Sequence, residues 1–307
     1  MMLDRAVRPV WALVAVLVAA ACSGSDSDSA GGAAPTTYAS DALVDTEWLQ
    51  ARLTDPSVRV LEVGGSQDSY DEGHIPGSVF LSMGRLSNPD ESIRNMIATR
   101  DQVSDALSSV GVERDQTVVL VDRQNNLQAA RAYWVLAYYQ HPELHVLNGG
   151  VRKWTADGGA VSSDPVQIAE ATYEAGPADE SLRTTWQYVV DHTDDPGTLT
   201  CDVRSPDEYL GRDVRAERGG HIPGSVNLEW TVAVQSDGTF KSAQDLSNLY
   251  TSAGFTPDKQ IITYCQSGVR GAHTWFVLSR LLGYPSVRNY DGSWAEYGNN
   301  PDSPIES

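Results

Sequence analysis

The chain has 307 residues, 41% of them hydrophobic, which is enough for two domains of ordinary size with buried cores. Its 22 Lys and Arg stand against 41 Asp and Glu, a formal net charge of −19. That balance leaves no basic face to neutralise phosphates and so excludes nucleic acid as a partner.

At the amino terminus Arg5 and Arg8 precede an apolar run over residues 10–21, followed by Cys22, Ser23 and Gly24. The run is too short to span a bilayer but fits the hydrophobic region of a secretory signal. Small residues leading into a cysteine make this segment similar to a bacterial lipoprotein signal, although Ala19 stands where such signals usually carry Leu. The resemblance implies cleavage after residue 21, lipidation of Cys22 and a place on the outer face of the cytoplasmic membrane. An ordinary cleaved signal without lipid is the alternative. Residues 22–38, rich in Ser, Asp, Gly and Ala, read as a flexible tether.

The body of the chain is duplicated. Gly73-His74-Ile75-Pro76-Gly77-Ser78-Val79 recurs residue for residue as Gly220-His221-Ile222-Pro223-Gly224-Ser225-Val226. Other landmarks keep the same order: residues 58–63 match 198–203, 117–122 match 260–265, and 146–150 match 288–292, with Trp154 and Trp294 following. Short β-branched runs alternate with longer helix-like segments in each copy, which predicts an α/β fold with mainly parallel sheets flanked by helices. The boundaries expected are 39–159 for the first domain, 160–181 for a polar linker and 182–307 for the second domain.

In the second copy Ile261-Ile262-Thr263-Tyr264 ends at Cys265, a loop Gln266-Ser267-Gly268-Val269-Arg270-Gly271 follows, and an apolar helical segment comes next. A thiol at the carboxyl end of a strand and the amino end of a helix meets free N–H groups, which favour a thiolate and any anion bound beside it. The opposing reading is a buried structural cysteine. Cys201, at the end of a buried strand, reads as a core thiol. A structural disulfide between Cys201 and Cys265 would silence the nucleophile.

The tandem copies, the paired Gly-His-Ile-Pro-Gly-Ser motifs, Asp202-Val203-Arg204-Ser205-Pro206, residues 227–231 and the Cys265–Arg270 loop together resemble a two-domain rhodanese-type sulfurtransferase. The resemblance implies a catalytically silent first copy. Asp122 stands at the position of Cys265, and Glu62-Val63-Gly64 stands in place of Asp202-Val203-Arg204. It also implies transfer of a sulfane sulfur from an anionic donor to cyanide or a thiol through a persulfide on Cys265, with no cofactor and no metal. The amides of Gln266, Ser267, Gly268, Val269, Arg270 and Gly271 are expected to form the anion cradle, and Arg270 and Arg204 to supply cations, with a buried ion pair to Asp202 that holds the strand end as the alternative for Arg204. Arg215 and Arg218 could reach the same cleft or belong to a solvated loop. His74 and His221 are expected to serve turn geometry, because the silent copy has one too. Some relatives carry an arginine where this chain has Glu208.

The charge of Arg270 favours thiosulfate as donor, whereas neutral Gln266 and Ser267 suit 3-mercaptopyruvate. A cysteine phosphatase or arsenate reductase would place five residues between Cys and Arg; here there are four, Gln266 to Val269. A non-catalytic binding module is the third reading.

Overall fold

The computed structural model describes Met1 and residues 34–307, and the expected signal, the tether up to residue 33 and the lipidation site Cys22 lie outside the described residues. Two five-stranded sheets carry the chain. The first contains β1 (Leu43–Val44), β2 (Val58–Val63), β3 (Val79–Leu81), β4 (Thr117–Val121) and β5 (Glu143–Leu147) in the order β1-β5-β4-β2-β3. The second contains β6 (Arg183–Thr184), β7 (Thr198–Asp202), β8 (Val226–Asn227), β9 (Gln260–Tyr264) and β10 (Val287–Tyr290) in the equivalent order β6-β10-β9-β7-β8. Every strand pairing within these sheets is parallel.

The registers make the duplication structural. Val58 pairs with Thr117 in the first sheet and Thr198 with Gln260 in the second. Parallel sheets are covered on both faces, and the central strands accordingly read as continuous apolar runs: Val118 to Val121 are fully buried, as are Ile261 and Ile262. The connecting helices begin on sequence-encoded caps. Thr99 with Gln102, and Ser205 with Glu208 behind Pro206, form capping boxes for the helices Arg100–Ser109 and Pro206–Tyr209.

Residues 34–307 form one compact unit, and its largest apolar cluster draws on both sheets. The helices Leu127–Tyr138 and Val269–Phe276, each following the central strand of its copy, lie against one another, with the rings of Tyr133 and Phe276 edge to face at 4.9 Å. The segment expected as a polar linker is docked on the first copy: Ser162 exchanges backbone hydrogen bonds with His74, and Tyr173 and Ala175 are buried. The carboxyl-terminal tail repeats this arrangement on the second copy, where Glu306 pairs with His221. Both histidines stack on a tyrosine and bond its carbonyl through Nδ1: His74 on Tyr70, His221 on Tyr209. They brace the turns of the repeated motif.

Candidate active site

β9 delivers Cys265 to the turn before the helix Val269–Phe276. Gly268 caps that helix at φ 74°, and a Cβ there would come within 2.7 Å of the Asp291 carbonyl, so both the left-handed backbone and the close approach require glycine. Among the described residues, the amides of Gln266, Ser267, Val269, Arg270 and Gly271 donate to no protein acceptor. Open N–H groups clustered at a helix start are a site for negative charge.

The Gly268 amide, expected in the same cradle, is taken. It donates to Ser293 Oγ at 3.0 Å, the Cys265 amide donates to the same oxygen at 3.1 Å, and the hydroxyl itself donates to the Tyr290 carbonyl at 2.7 Å. Trp294 and Ala295 then donate to the carbonyls of Cys265 and Gln266. The short helix Ser293–Tyr297 thus braces the loop from behind, and Ser293 adopts a left-handed φ of 51° to do so.

Cys265 is buried at 1% exposure, and it and Cys201 are free thiols. Burial pushes the Cys201 thiol well above its ordinary range, with the neighbouring Asp202 charge adding to it, so Cys201 is an inert core group.

The expected cations are differently placed. Arg270 closes a two-pronged fork on Glu208, at 2.7 and 2.8 Å, and Arg215 approaches the same carboxylate at 3.4 Å. Glu208 is buried, which alone would raise its pKa, but the Arg270 hydrogen bonds and charge overcome this and hold it at about 2. The residue that departs from the arginine of some relatives is therefore the partner of the loop arginine. Arg204 does not stand open to the loop. Its guanidinium is buried against Asp202, donates to the Gly220 carbonyl at 2.8 Å and lies 4.3 Å over the Trp294 ring. It is the ion pair that fixes the end of β7. Arg218 collects the carbonyls of Tyr297, Gly298, Asn300 and Ser303 and closes the last helix, while the Arg215 carbonyl accepts from Gln266 Nε2 at 3.0 Å.

The first copy reaches into this site, which sequence alone did not reveal. Arg131, buried, pairs with Asp291 at 2.8 Å and points at the Gly268 carbonyl at 3.5 Å. Asp291 also accepts from the Ile97 amide at 2.8 Å, and Asn95 Nδ2 donates to Ser267 Oγ at 2.9 Å. Next to this contact a cavity of about 340 Å³ is lined by Ser92, Ile93 and Arg94 of the first copy and Ala295, Glu296 and Asn299 of the second. A larger groove, about 720 Å³, lies under residues 168–172 and away from the cysteine.

Two segments, residues 45–157 and 185–300, match the rhodanese-like domain. The chain is 40% identical over 276 residues to a Mycolicibacterium smegmatis protein named "Putative thiosulfate sulfurtransferase", covering 87% of this chain and 98% of that one. It is 41% identical over 277 residues to the sulfur carrier protein TtuD of Thermus thermophilus, covering 86% and 96%. Among solved structures it resembles the anaerobic ergothioneine biosynthesis enzyme of Chlorobium limicola in complex with trimethyl histidine, with a TM-score of 0.80, 25% identity, and 87% and 70% coverage. With two matched segments spanning most of its length and these relatives, the chain belongs to the rhodanese-like sulfurtransferase family and carries two such domains in tandem.

Proposed function

We propose that the protein transfers a sulfane sulfur from thiosulfate to a thiophilic acceptor, cyanide or a thiol, through a persulfide on Cys265. The observation that carries this reading is the group of unpaired amides in the Cys265 loop. The Cys265 thiolate attacks the outer sulfur of thiosulfate, the S–S bond breaks, and sulfite leaves with the bonding pair. The terminal sulfur of the persulfide then carries negative charge, which loop N–H donors stabilise. Attack by cyanide on that sulfur returns the thiolate and releases thiocyanate. The intermediate is covalent and calls for no cofactor.

Relatives named for thiosulfate support it as donor. The fork between Arg270 and Glu208 offsets the local cation that favoured a dianion, so 3-mercaptopyruvate is the second reading, supported by neutral Gln266 and Ser267. We place the protein at a membrane surface through Cys22, a reading that mass spectrometry of the membrane fraction tests. For the chemistry, sulfite release is measured with thiosulfate and pyruvate release with 3-mercaptopyruvate, and the Cys265 peptide is weighed after each donor. A peptide heavier by one sulfur, faster turnover with thiosulfate and no turnover in Cys265→Ser are expected. Phosphate release from an aryl phosphate without sulfite release would overturn the reading.

A further inference from the structure

We infer that Asn95, carried by the first copy, is a positioning residue for the cysteine loop of the second: its amide fixes the Ser267 hydroxyl so that the hydroxyl proton faces an anion held at Cys265. This rests on the sulfurtransferase reading above. Asn95 adopts a left-handed φ of 68°, which asparagine tolerates better than most side chains. It is held there from both sides. Its carbonyl accepts from the buried Arg131 at 2.6 Å, and the next residues, Met96, Ile97 and Ala98, are buried, with the Ile97 amide bonded to Asp291.

From this position Asn95 Nδ2 donates to Ser267 Oγ at 2.9 Å across the boundary between the copies. A side-chain NH₂ group can only donate, whereas a hydroxyl has two lone pairs and one proton. The contact therefore occupies a lone pair of Ser267 and leaves its proton free, with no acceptor among the described residues. The neighbouring donors of the loop, the amides of Gln266, Ser267, Val269, Arg270 and Gly271, are likewise unpaired. An oriented hydroxyl adds one more preorganised donor to the same negative charge. In this way a copy without a nucleophile still contributes to the chemistry of the other.

The test uses the full chain and three single variants, Asn95→Gly, Asn95→Asp and Ser267→Ala, with the double variant Asn95→Gly/Ser267→Ala. Glycine keeps the left-handed backbone and the carbonyl that Arg131 needs, so it removes only the amide. The first readout is the rate of Cys265 alkylation by iodoacetamide across pH, which needs no sulfur donor. The second is kcat/KM for sulfite release from thiosulfate.

Asn95→Gly should slow both by about fivefold, the worth of one hydrogen bond, and shift the alkylation profile to higher pH. Asn95→Asp should be slower still, because a carboxylate accepts the Ser267 proton and adds a negative charge. The double variant should be no slower than Ser267→Ala alone. Additive losses in the double variant, an unchanged alkylation profile in Asn95→Gly, or full activity in Ser267→Ala would each overturn the inference. A role confined to folding would lower the melting temperature of Asn95→Gly without this non-additivity. If the unmodified protein releases no sulfite, the sulfurtransferase reading fails, and the alkylation profiles still decide the role of Asn95.

Discussion

The two copies build the same strand-loop-helix at the same place and fill it differently. In the first, the carboxylate of Asp122 accepts from the amides of Gln124 and Asn126 at 3.0 Å each and from those of Gln128 and Ala129 at 2.7 and 3.1 Å. Burial pushes this carboxyl up and the four N–H groups pull it back. In the second, Cys265 occupies the strand end and five amides have no acceptor among the described residues. The first loop also has one more residue, three between Asp122 and the capping Asn126 against two between Cys265 and the capping Gly268. The fold is an anion trap in both copies. What stands at the end of the strand decides whether the trap is closed by the protein itself or left open, and the first copy keeps the loop but fills it with its own carboxylate.

The largest effect expected is at the position where the copies differ in charge. Two residues past the helix cap the first copy has Gln128 and the second has Arg270. Arg270→Ala would strand the buried carboxylate of Glu208, with only the half-exposed Arg215 left to face it. Breaking a buried pair on one side typically costs about 3–5 kcal/mol, so melting temperature should fall sharply. Sulfite release should fall by about a hundredfold or more, since an unpaired carboxylate would then face the cradle. The double variant Arg270→Ala/Glu208→Ala should recover most of the stability. Little recovery would show that Arg270 acts on the loop itself and not through Glu208.

Next in size is the closed trap. Asp122→Ala should leave four N–H groups without their acceptor, the buried ones of Asn126 and Ala129 at about 1–3 kcal/mol each and the part-buried ones of Gln124 and Gln128 with relief from water. We expect a loss of roughly 3 kcal/mol in denaturant unfolding and no gain of sulfurtransferase activity, because no nucleophile is introduced. A variant as stable as the parent would mean that the carboxylate merely fits the loop and does not hold it.

The facing helices carry a further contrast five residues past each cap, Arg131 in the first copy and His273 in the second. Arg131 crosses to Asp291, whereas His273 is enclosed by Trp230 and Phe240, and burial lowers its pKa to about 3. Burial likewise lowers His141 to about 4. Both folded pKa values lie below the unfolded value of 6.5, so the unfolded chain takes up protons first as the solution is acidified. Stability should be full above pH 6.5 and fall below it by about 1.4 kcal/mol per pH unit for each histidine. The buried carboxyls of Glu62 and Glu296, raised by desolvation, act in the opposite sense at lower pH, so the slope is best read between pH 6.5 and 5.5. His273→Gln should halve that slope in urea titrations.

Much of this arrangement was legible in the chain. The duplication, the alternation of strands and helices and the Cys265 loop all depend on local pattern, and the sheets follow it strand by strand. The cation assignments were legible only in part. Arg204 has its partner Asp202 two residues away, but the other partners are fixed by folding: Glu208 lies 62 residues from Arg270, and Asn95 lies 172 residues from Ser267. The capping box of Ser205 and Glu208 was readable, yet a cap gives no sign of which guanidinium will fold onto it. The sheet registers also shift the copies by one residue from the match of 146–150 with 288–292: Val146 is equivalent to Asn289, Asn148-Gly149-Gly150 faces Asp291-Gly292-Ser293, and a hydroxyl stands where the first copy has glycine.

That hydroxyl carries the smallest effect, and two opposing forces set it. Gly150 and Ser293 both have left-handed φ, 58° and 51°, a conformation that glycine adopts without strain and serine does not. Ser293→Gly should therefore gain about 1 kcal/mol from the backbone. It should also lose the bonds to the amides of Cys265 and Gly268, about 1 kcal/mol each, and the bond to the Tyr290 carbonyl. Three bonds lost against one backbone gain leave a net loss of about 2 kcal/mol, so the melting temperature should fall by several degrees. The effect on function follows the bonds alone, because strain relief is spread over the backbone while the lost bonds all pin the loop that carries the thiol. Sulfite release should fall by about five- to tenfold, with kcat falling more than KM rises. Ser293→Ala separates the contributions: it keeps the strain and loses the bonds, so it should melt lower than Ser293→Gly while matching its activity. If Ser293→Gly kept full activity, the loop would hold its shape without the brace, and the serine would be only a tolerated replacement for the glycine of the first copy.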